Sequence, residues 1–411
     1  MINNIIIIIG GGPAGLMAAG QAAITHPSDE IFLIEKMPKI GSKLALTGHG
    51  RCNMTNVIPI RDFESYVWTN FKWLKHAFFS FNNKDLIAFF LDLSMGTLVE
   101  ENKVFPRSQK ASDIIQTLIK WNQDCGVRIL TETTVKELLI EQNQIAGVKL
   151  QNGSIMVAKD VILATGGMSF PKTGSTGDGY RLAKGHTIMP IQPILVALET
   201  QDSMQALQGV SLYGVSINAW INHRKIAQEY GDLLFTHFGI SGPAVLSISR
   251  HLITAIQEKQ MVEIVIDLFP DQSDSEFEQS LIQALQQNIL ITNALKKFCP
   301  ARFFLFCLEK AKISNRKFAN QISSEERKKI RLLLKNFKMI ISTHRPISEA
   351  IITRGGIDTT EVDPKTMASK RIKGLYFAGE ILDVDADTGG FNLQIAFSTG
   401  WLAGQLNDRK I

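Results

Sequence analysis

The chain opens with five consecutive isoleucines, Ile5 to Ile9, running straight into Gly10-Gly11-Gly12-Pro13. A continuous β-branched run stopped by glycine is the pattern of a strand buried on both faces. Residues 14–25 predict an alanine-rich helix whose small side chains suit close packing on a sheet, and residues 31–35 predict a second buried strand. Strand, glycine turn, helix and strand are complete within about 35 residues, as in the first unit of a dinucleotide-binding α/β fold.

Residues 41–56 are rich in glycine and polar side chains and predict a loop that lines a ligand. Helices are expected over 71–81, 84–93 and 112–125, a hairpin over 97–105, and a strand over 127–130. An alternating pair, 134–139 with 144–150, precedes a buried strand over 159–164 that ends in Thr165-Gly166-Gly167. Past Met189 the alternation becomes short: 195–199, 215–221, 225–230 and 261–268 read as strands of a small barrel or sandwich. Three helices are predicted next, over 277–288, 301–312 and 324–338. The first pattern resumes at 347–356, with a buried strand over 373–379 and a helix over 393–406. The expected fold class is therefore α/β. A Rossmann-like domain of residues 1–189 and 345–411 is split by a β-barrel-like subdomain (190–270) and a basic helical subdomain (271–344).

A length of 411 residues agrees with two or three domains. With 45% hydrophobic and 20% charged residues, the composition is that of a soluble globular protein. No apolar run approaches the roughly 20 residues of a membrane span. Ile5–Ile9 is too short for a signal core and leads directly into the glycine turn. Four scattered cysteines (Cys52, Cys125, Cys299, Cys307) suggest neither a disulfide framework nor a zinc site, so a reduced, cytoplasmic protein without a metal is expected. The net charge of +5 is unevenly placed: residues 296–338 hold thirteen Lys or Arg against three Glu, a local excess of +10. Such a segment fits a polyanion-facing surface, RNA being one candidate, and equally a solvated helical face.

Gly10-x-Gly12-x-x-Gly15 places each glycine where the chemistry needs it. The first permits the tight turn, the second lets a pyrophosphate approach the backbone, and the third lets helix and strand pack closely. The helix start offers free N–H groups and a positive dipole end to phosphates. Glu35, twenty residues after Gly15, can accept the hydroxyls of an adenosine ribose. The apolar segment returning through Leu375 to Gly379-Glu380 near the C-terminus is the layout of an FAD rather than an NAD protein. Gly389-Gly390-Phe391-Asn392 opens the last helix, whose amides suit negative charge at the edge of a reduced flavin. There is no second GxGxxG between a strand and a helix, so NAD(P)H as reductant would visit the flavin without a Rossmann domain of its own.

The segments GSKLALTGHGRCNMTN (41–56), KVFPRSQKASDI (103–114), ATGGMSFPKTGSTGDGY (164–180), GDLLFTHFGISGPAVL (231–246) and GEILDVDADTGGFNLQIAFSTGWLAG (379–404) resemble the bacterial flavoprotein family of aminoacetone-oxidase-type FAD-binding enzymes. That family also includes bile-acid ene-reductase members. The likeness is collinear over essentially the whole chain, and it departs at His49, where the family commonly has glycine. It implies an FAD domain split by a β-barrel and a small helical domain. It also implies non-covalent FAD contacts at Gly10, Gly12, Gly15, Glu35, Lys36, Lys43, Arg51, Cys52, Asn53, Gly379, Asp383, Gly390 and Asn392. Neighbouring Pro13, Ala14, Val135, Thr165, Gly166, Glu380, Phe391 and Leu393 join them as candidates. By their own chemistry, Lys43 and Arg51 can neutralise pyrophosphate or reduced flavin, and Asn53 can bond ring heteroatoms.

For proton chemistry, Cys52 beside Arg51 is a candidate for a lowered pKa, although a small buried residue near the cofactor is the favoured reading of it. His237 in Phe-Thr-His-Phe-Gly is a candidate donor, with His49 and Asp383 behind it. The leading expectation is an NAD(P)H-driven reduction of an activated C=C bond in a small molecule, or in uridine of RNA to give dihydrouridine. An amine oxidase using O₂ is an alternative. So is an RNA- or ribosome-binding flavoprotein whose flavin does no chemistry.

Overall fold

The computed structural model describes residues 4–406, with the side chain of His49 left aside, as two compact units. The first comprises residues 4–192 and 352–406 within its bounds, the second Pro193–Ile351.

In the first unit, β1 (Ile5–Ile9), α1 (Pro13–Thr25) and β2 (Glu30–Ile34) form in the order the apolar pattern dictates. With β3 (Arg128–Leu130), β4 (Asp160–Leu163) and β5 (Leu375–Phe377) they make a parallel sheet of order β5-β4-β1-β2-β3. Ile9 pairs with Ile34 on one side and Leu163 on the other, so three strand ends meet at the Gly10 turn. Ile6, Ile7 and Ile8 are fully buried, as a strand covered on both faces must be. The last helix, α2 (Phe391–Gly404), lies against α1. Its Gly400 has no room for a side chain, since a Cβ would stand 2.4 Å from the Ala14 carbonyl oxygen.

His186 ties the return of the chain to this sheet. Its Nε2 lies 2.7 Å from the Ser369 hydroxyl, its Nδ1 3.3 Å from the Ala183 carbonyl, and its ring meets Phe377 edge-on. Burial lowers its pKa, against the opposing pull of the Ala183 carbonyl and Glu361. An imidazole that protonates less readily folded than unfolded stabilises the fold above the unfolded value of about 6.5. That contribution is lost as the pH falls towards the lower, folded value. The melting temperature is therefore expected to fall below about pH 6.5, and less steeply in His186→Gln; equal slopes would count against the assignment.

The second unit is a closed antiparallel barrel of six strands. Ser211–Ile221 pairs with Arg224–Phe235 and with Val262–Asp267, and Phe337–His344 closes the ring between Val262–Asp267 and Leu198–Thr200. The helices Asp274–Leu285, Ile291–Leu295, Ala301–Ala311 and Ser324–Lys335 are inserted before that closing strand. The sequence boundary at 270/271 falls between strand Val262–Asp267 and the first of these helices, whereas the helical subdomain's expected end at 344 takes in a barrel strand. The helix predicted to reach residue 338 ends at Lys335, and Phe337–His344 is a strand alternating buried Phe337, Met339 and Ile341 with outward Lys338 and Ile340.

Folding also changes the basic segment. Lys310 pairs with Asp202, Lys338 with Glu263, Lys335 with Asp267, and Arg327 and Arg331 with Asp274 and Glu278. These five carboxylates lie outside 296–338, so about half of the sequence-level excess is neutralised by neighbours. Arg302 is spent on the carbonyls of Ala206 and Gln208. Lys296, Lys312, Arg316, Lys328 and Lys329 are exposed.

Candidate functional site

The turn after β1 is built from close backbone approaches. Gly10 adopts a φ of +112°, and a Cβ there would sit 2.4 Å from the Ala164 carbonyl oxygen. At Gly15 it would stand 1.8 Å from the Gly10 carbonyl oxygen, whereas at Gly12 it would meet nothing within 4 Å. The helix α1 starts at Pro13 with no side-chain cap and no acidic residue in its first turn, so its positive end is uncompensated within the helix. The Glu35 carboxylate accepts the N–H groups of Gly11 at 2.7 Å and Met37 at 2.8 Å, which fixes its orientation and leaves lone pairs for ribose hydroxyls. Glu35 and Lys36 line a cleft with Gly10, Thr133, Val135 and Thr165.

The C-terminal segment converges on the same turn. Gly379, with φ +78°, brings β5 so near α1 that a Cβ would come 2.8 Å from Ala14 Cβ. At Gly390 a Cβ would stand 2.4 Å from the backbone of Thr55. The Asn56 amide donates to the Gly389 carbonyl and the Thr55 hydroxyl to Gln394, so the start of α2 is stitched to the segment after Arg51-Cys52-Asn53. The glycine turn, residues 51–56 and the opening of α2 are thereby brought together from three distant stretches.

Several candidates already have partners. Lys36 is held by Asp178 and Thr176, each at 2.6 Å. Lys43 is held by Glu380 at 2.7 Å and Ser169 at 2.7 Å. Glu380 also accepts the Thr353 N–H at 2.8 Å, and Gly166 lies beside it. Arg51 pairs with Glu100 and lies 4.2 Å over the Phe105 ring. Asn392 spends its amide on Ala386 and Asp387, Phe391 is buried against Tyr66 and Phe63, and Leu393 packs on the core. Asp383 is half-buried beside Asn70; burial raises its pKa, with Asp385 adding to the rise. Ser169, Asp178, Thr353 and Glu100 were not singled out by sequence reasoning. The first two stand inside the 164–180 stretch, where Asp178 between two glycines marks a turn; Glu100 and Thr353 carry no comparable mark.

Of the two readings of Cys52, the geometry disagrees with the thiolate stabilised by Arg51: the residue is a fully buried thiol whose pKa is pushed up to about 12 by burial, with a hydrogen bond to Thr47 opposing. The Arg51 guanidinium is turned to Glu100. Cys52 is expected to resist iodoacetamide at pH 8 in the folded protein and to react once the protein is unfolded, as followed by mass spectrometry; labelling at the rate of a free thiol would refute this. His237 belongs to the second unit, where its ring meets that of Phe238 edge-on at 5.0 Å. His49 lies in the turn Leu44–Gly50, and its side chain is outside the described residues.

An adenine dinucleotide fits these residues. Gly12 leaves space where any other residue would fill it, and Thr165 Oγ1, Asn53 Oδ1 and Arg51 Nε are buried without a hydrogen-bond partner. The backbone amides opening α1, with Glu35, would hold the ADP half, and residues 51–53 with the start of α2 the flavin half.

A family profile described as HI0933-like protein Rossmann domain matches residues 4–406. The chain is 30% identical over 406 residues to the 3-dehydro-bile acid delta(4,6)-reductase of Clostridium scindens, with 98% of each chain covered. It is 32% identical over 406 residues to the ribosomal RNA dihydrouridine synthase of Haemophilus influenzae, with 96% of each covered. Among solved structures, the 3-ketosteroid delta1-dehydrogenase of Sterolibacterium denitrificans superposes over all of both chains with a TM-score of 0.53 at 12% identity, a likeness of fold.

Proposed function

Because this chain belongs to the HI0933-like Rossmann-domain family, we propose that it reduces a C=C bond conjugated to a carbonyl, with uridine in RNA as substrate and NAD(P)H as reductant. It is an FAD-dependent oxidoreductase; the bond, the substrate and the reductant are the proposal. What carries it is the chemistry shared by two relatives of equal extent. Saturating a 3-oxo bile acid at delta(4,6) and saturating uridine both add hydride and a proton across an alkene polarised by a carbonyl. RNA is favoured over a steroid by Lys296, Lys312, Arg316, Lys328 and Lys329, exposed cations on one unit.

When bound, FAD supplies the hydride for the β-carbon, having received it from NAD(P)H. The chain's part is to hold the dinucleotide at the amides of α1, to place the opening of α2 near negative charge, and to deliver a proton to the α-carbon. Cys52 is sealed from that last role.

The deciding experiment is dihydrouridine mapping of ribosomal RNA with and without the gene, together with anaerobic bleaching of the flavin by NADH and NADPH. A lost dihydrouridine site supports the reading; unchanged sites refute the RNA substrate. Rapid reoxidation by air alone would favour an oxidase.

A further inference from the structure

A cavity of 610 Å³ in the first unit lies at the entry to helix Phe71–Ser80, and none of its lining is shared with the Glu35 cleft. Its volume is that of a small-ligand site. Trp68, 41% exposed, Phe71 and Trp73 give it aromatic surfaces, and the Trp73 indole is anchored by donating to the Val362 carbonyl at 3.1 Å. Lys72 and Lys370 bring positive charge, the Lys370 ammonium being steadied by donating to the Thr360 carbonyl at 2.9 Å, and Glu64 brings a carboxylate. Flat rings for a base, ammonium groups for phosphate and a carboxylate for ribose hydroxyls are the three components of nucleotide recognition.

The cavity wall is wired to the cofactor segment. The Trp68 N–H donates to the Asp385 carbonyl at 2.9 Å, the Asn70 amide to the Asp383 carbonyl at 2.7 Å, and Val67 forms a bridge with Ala386. Residues 383–386 lead directly into Gly389-Gly390 and the start of α2. The Gly10–Gly15 turn is the one dinucleotide motif of the sequence and serves FAD, so a nicotinamide nucleotide needs a site of different construction.

We propose that this cavity binds the adenosine-phosphate half of the nicotinamide nucleotide reductant, a proposal that rests on the reading of NAD(P)H as reductant. The base stacks on Trp68, Lys72 and Lys370 hold phosphate, and Glu64 accepts from the ribose.

Equilibrium dialysis of the flavin-loaded protein against 5′-ADP and 2′,5′-ADP tests the site whether or not the flavin is reducible. Binding of at least one below about 1 mM is expected, weakened at least tenfold (about 1.4 kcal/mol) in Trp68→Ala and in Lys72→Glu, with flavin content and melting temperature unchanged. No binding, or equal binding by the parent protein and both variants, overturns the proposal. So does selective displacement by uridine monophosphate, which would give the cavity to the substrate. Bleaching by NAD(P)H reports separately on the reductant: bleaching with unaltered binding in the variants removes the site and keeps the reductant. Weakened binding without bleaching keeps the site and removes the reductant.

Discussion

Gly15→Ala is expected to yield a protein with less than a tenth of the normal flavin. The new methyl group would stand 1.8 Å from the Gly10 carbonyl oxygen, a backbone atom that no rotamer change can move. Turn and helix must part, at a cost of about 3 kcal/mol or more and several degrees of melting temperature. Gly12→Ala is the informative companion. Its methyl meets nothing within 4 Å and its φ of −82° is one that alanine adopts, so the fold is unharmed. It occupies the approach a pyrophosphate needs, and flavin content is expected to fall with an unchanged melting curve of the flavin-free protein. The ratio of flavin to protein absorbance, with thermal melts, reads both. A fully yellow Gly15→Ala would contradict the geometry.

The second large effect lies at Asp385, whose carboxylate has no exposure and is paired with Arg354 at 3.2 Å. Arg354→Met takes away the cation and leaves the charge with the Thr69 hydroxyl as a remaining donor. Breaking a buried pair from one side costs about 3–5 kcal/mol. Arg354→Met/Asp385→Asn is expected to recover most of that loss, because it removes the uncompensated charge. Urea midpoints of the two variants measure the difference. A double variant as unstable as the single would show that shape, rather than charge, sets the cost.

The glycine turn and its flanking elements could be read directly from the sequence because their signal is local. Five isoleucines admit one environment, and the glycine spacing is set by contacts within a few residues. The strand Phe337–His344 escaped because Ser324–Lys335 before it is helical in pattern and its partners lie far away in sequence, so that only the closed barrel specifies it. The net charge of the helical segment could not be read from its own residues for a related reason: Asp202, Glu263, Asp267, Asp274 and Glu278 become its neighbours through folding alone. At Cys52 the adjacent Arg51 suggested an electropositive thiol, but a backbone φ of +58° and complete burial separate the two side chains' surroundings. Sequence adjacency is a poor guide to environment where the backbone turns that sharply. The aromatic cavity left no motif because its parts come from residues 64–73 and 359–370.

The late position of the barrel's closing strand bears on how the chain is made. Leu198–Thr200 leaves the ribosome well before its partner Phe337–His344, and the intervening helices emerge in between. Two barrel edges therefore stay open during synthesis, with backbone groups available to other chains. The sheet of the first unit waits longer still, since Leu375–Phe377 joins it only after the whole of the second unit has been made. Flavin capture thus waits until residues 375–377 have been made and have joined the sheet whose strand ends meet at the Gly10 turn.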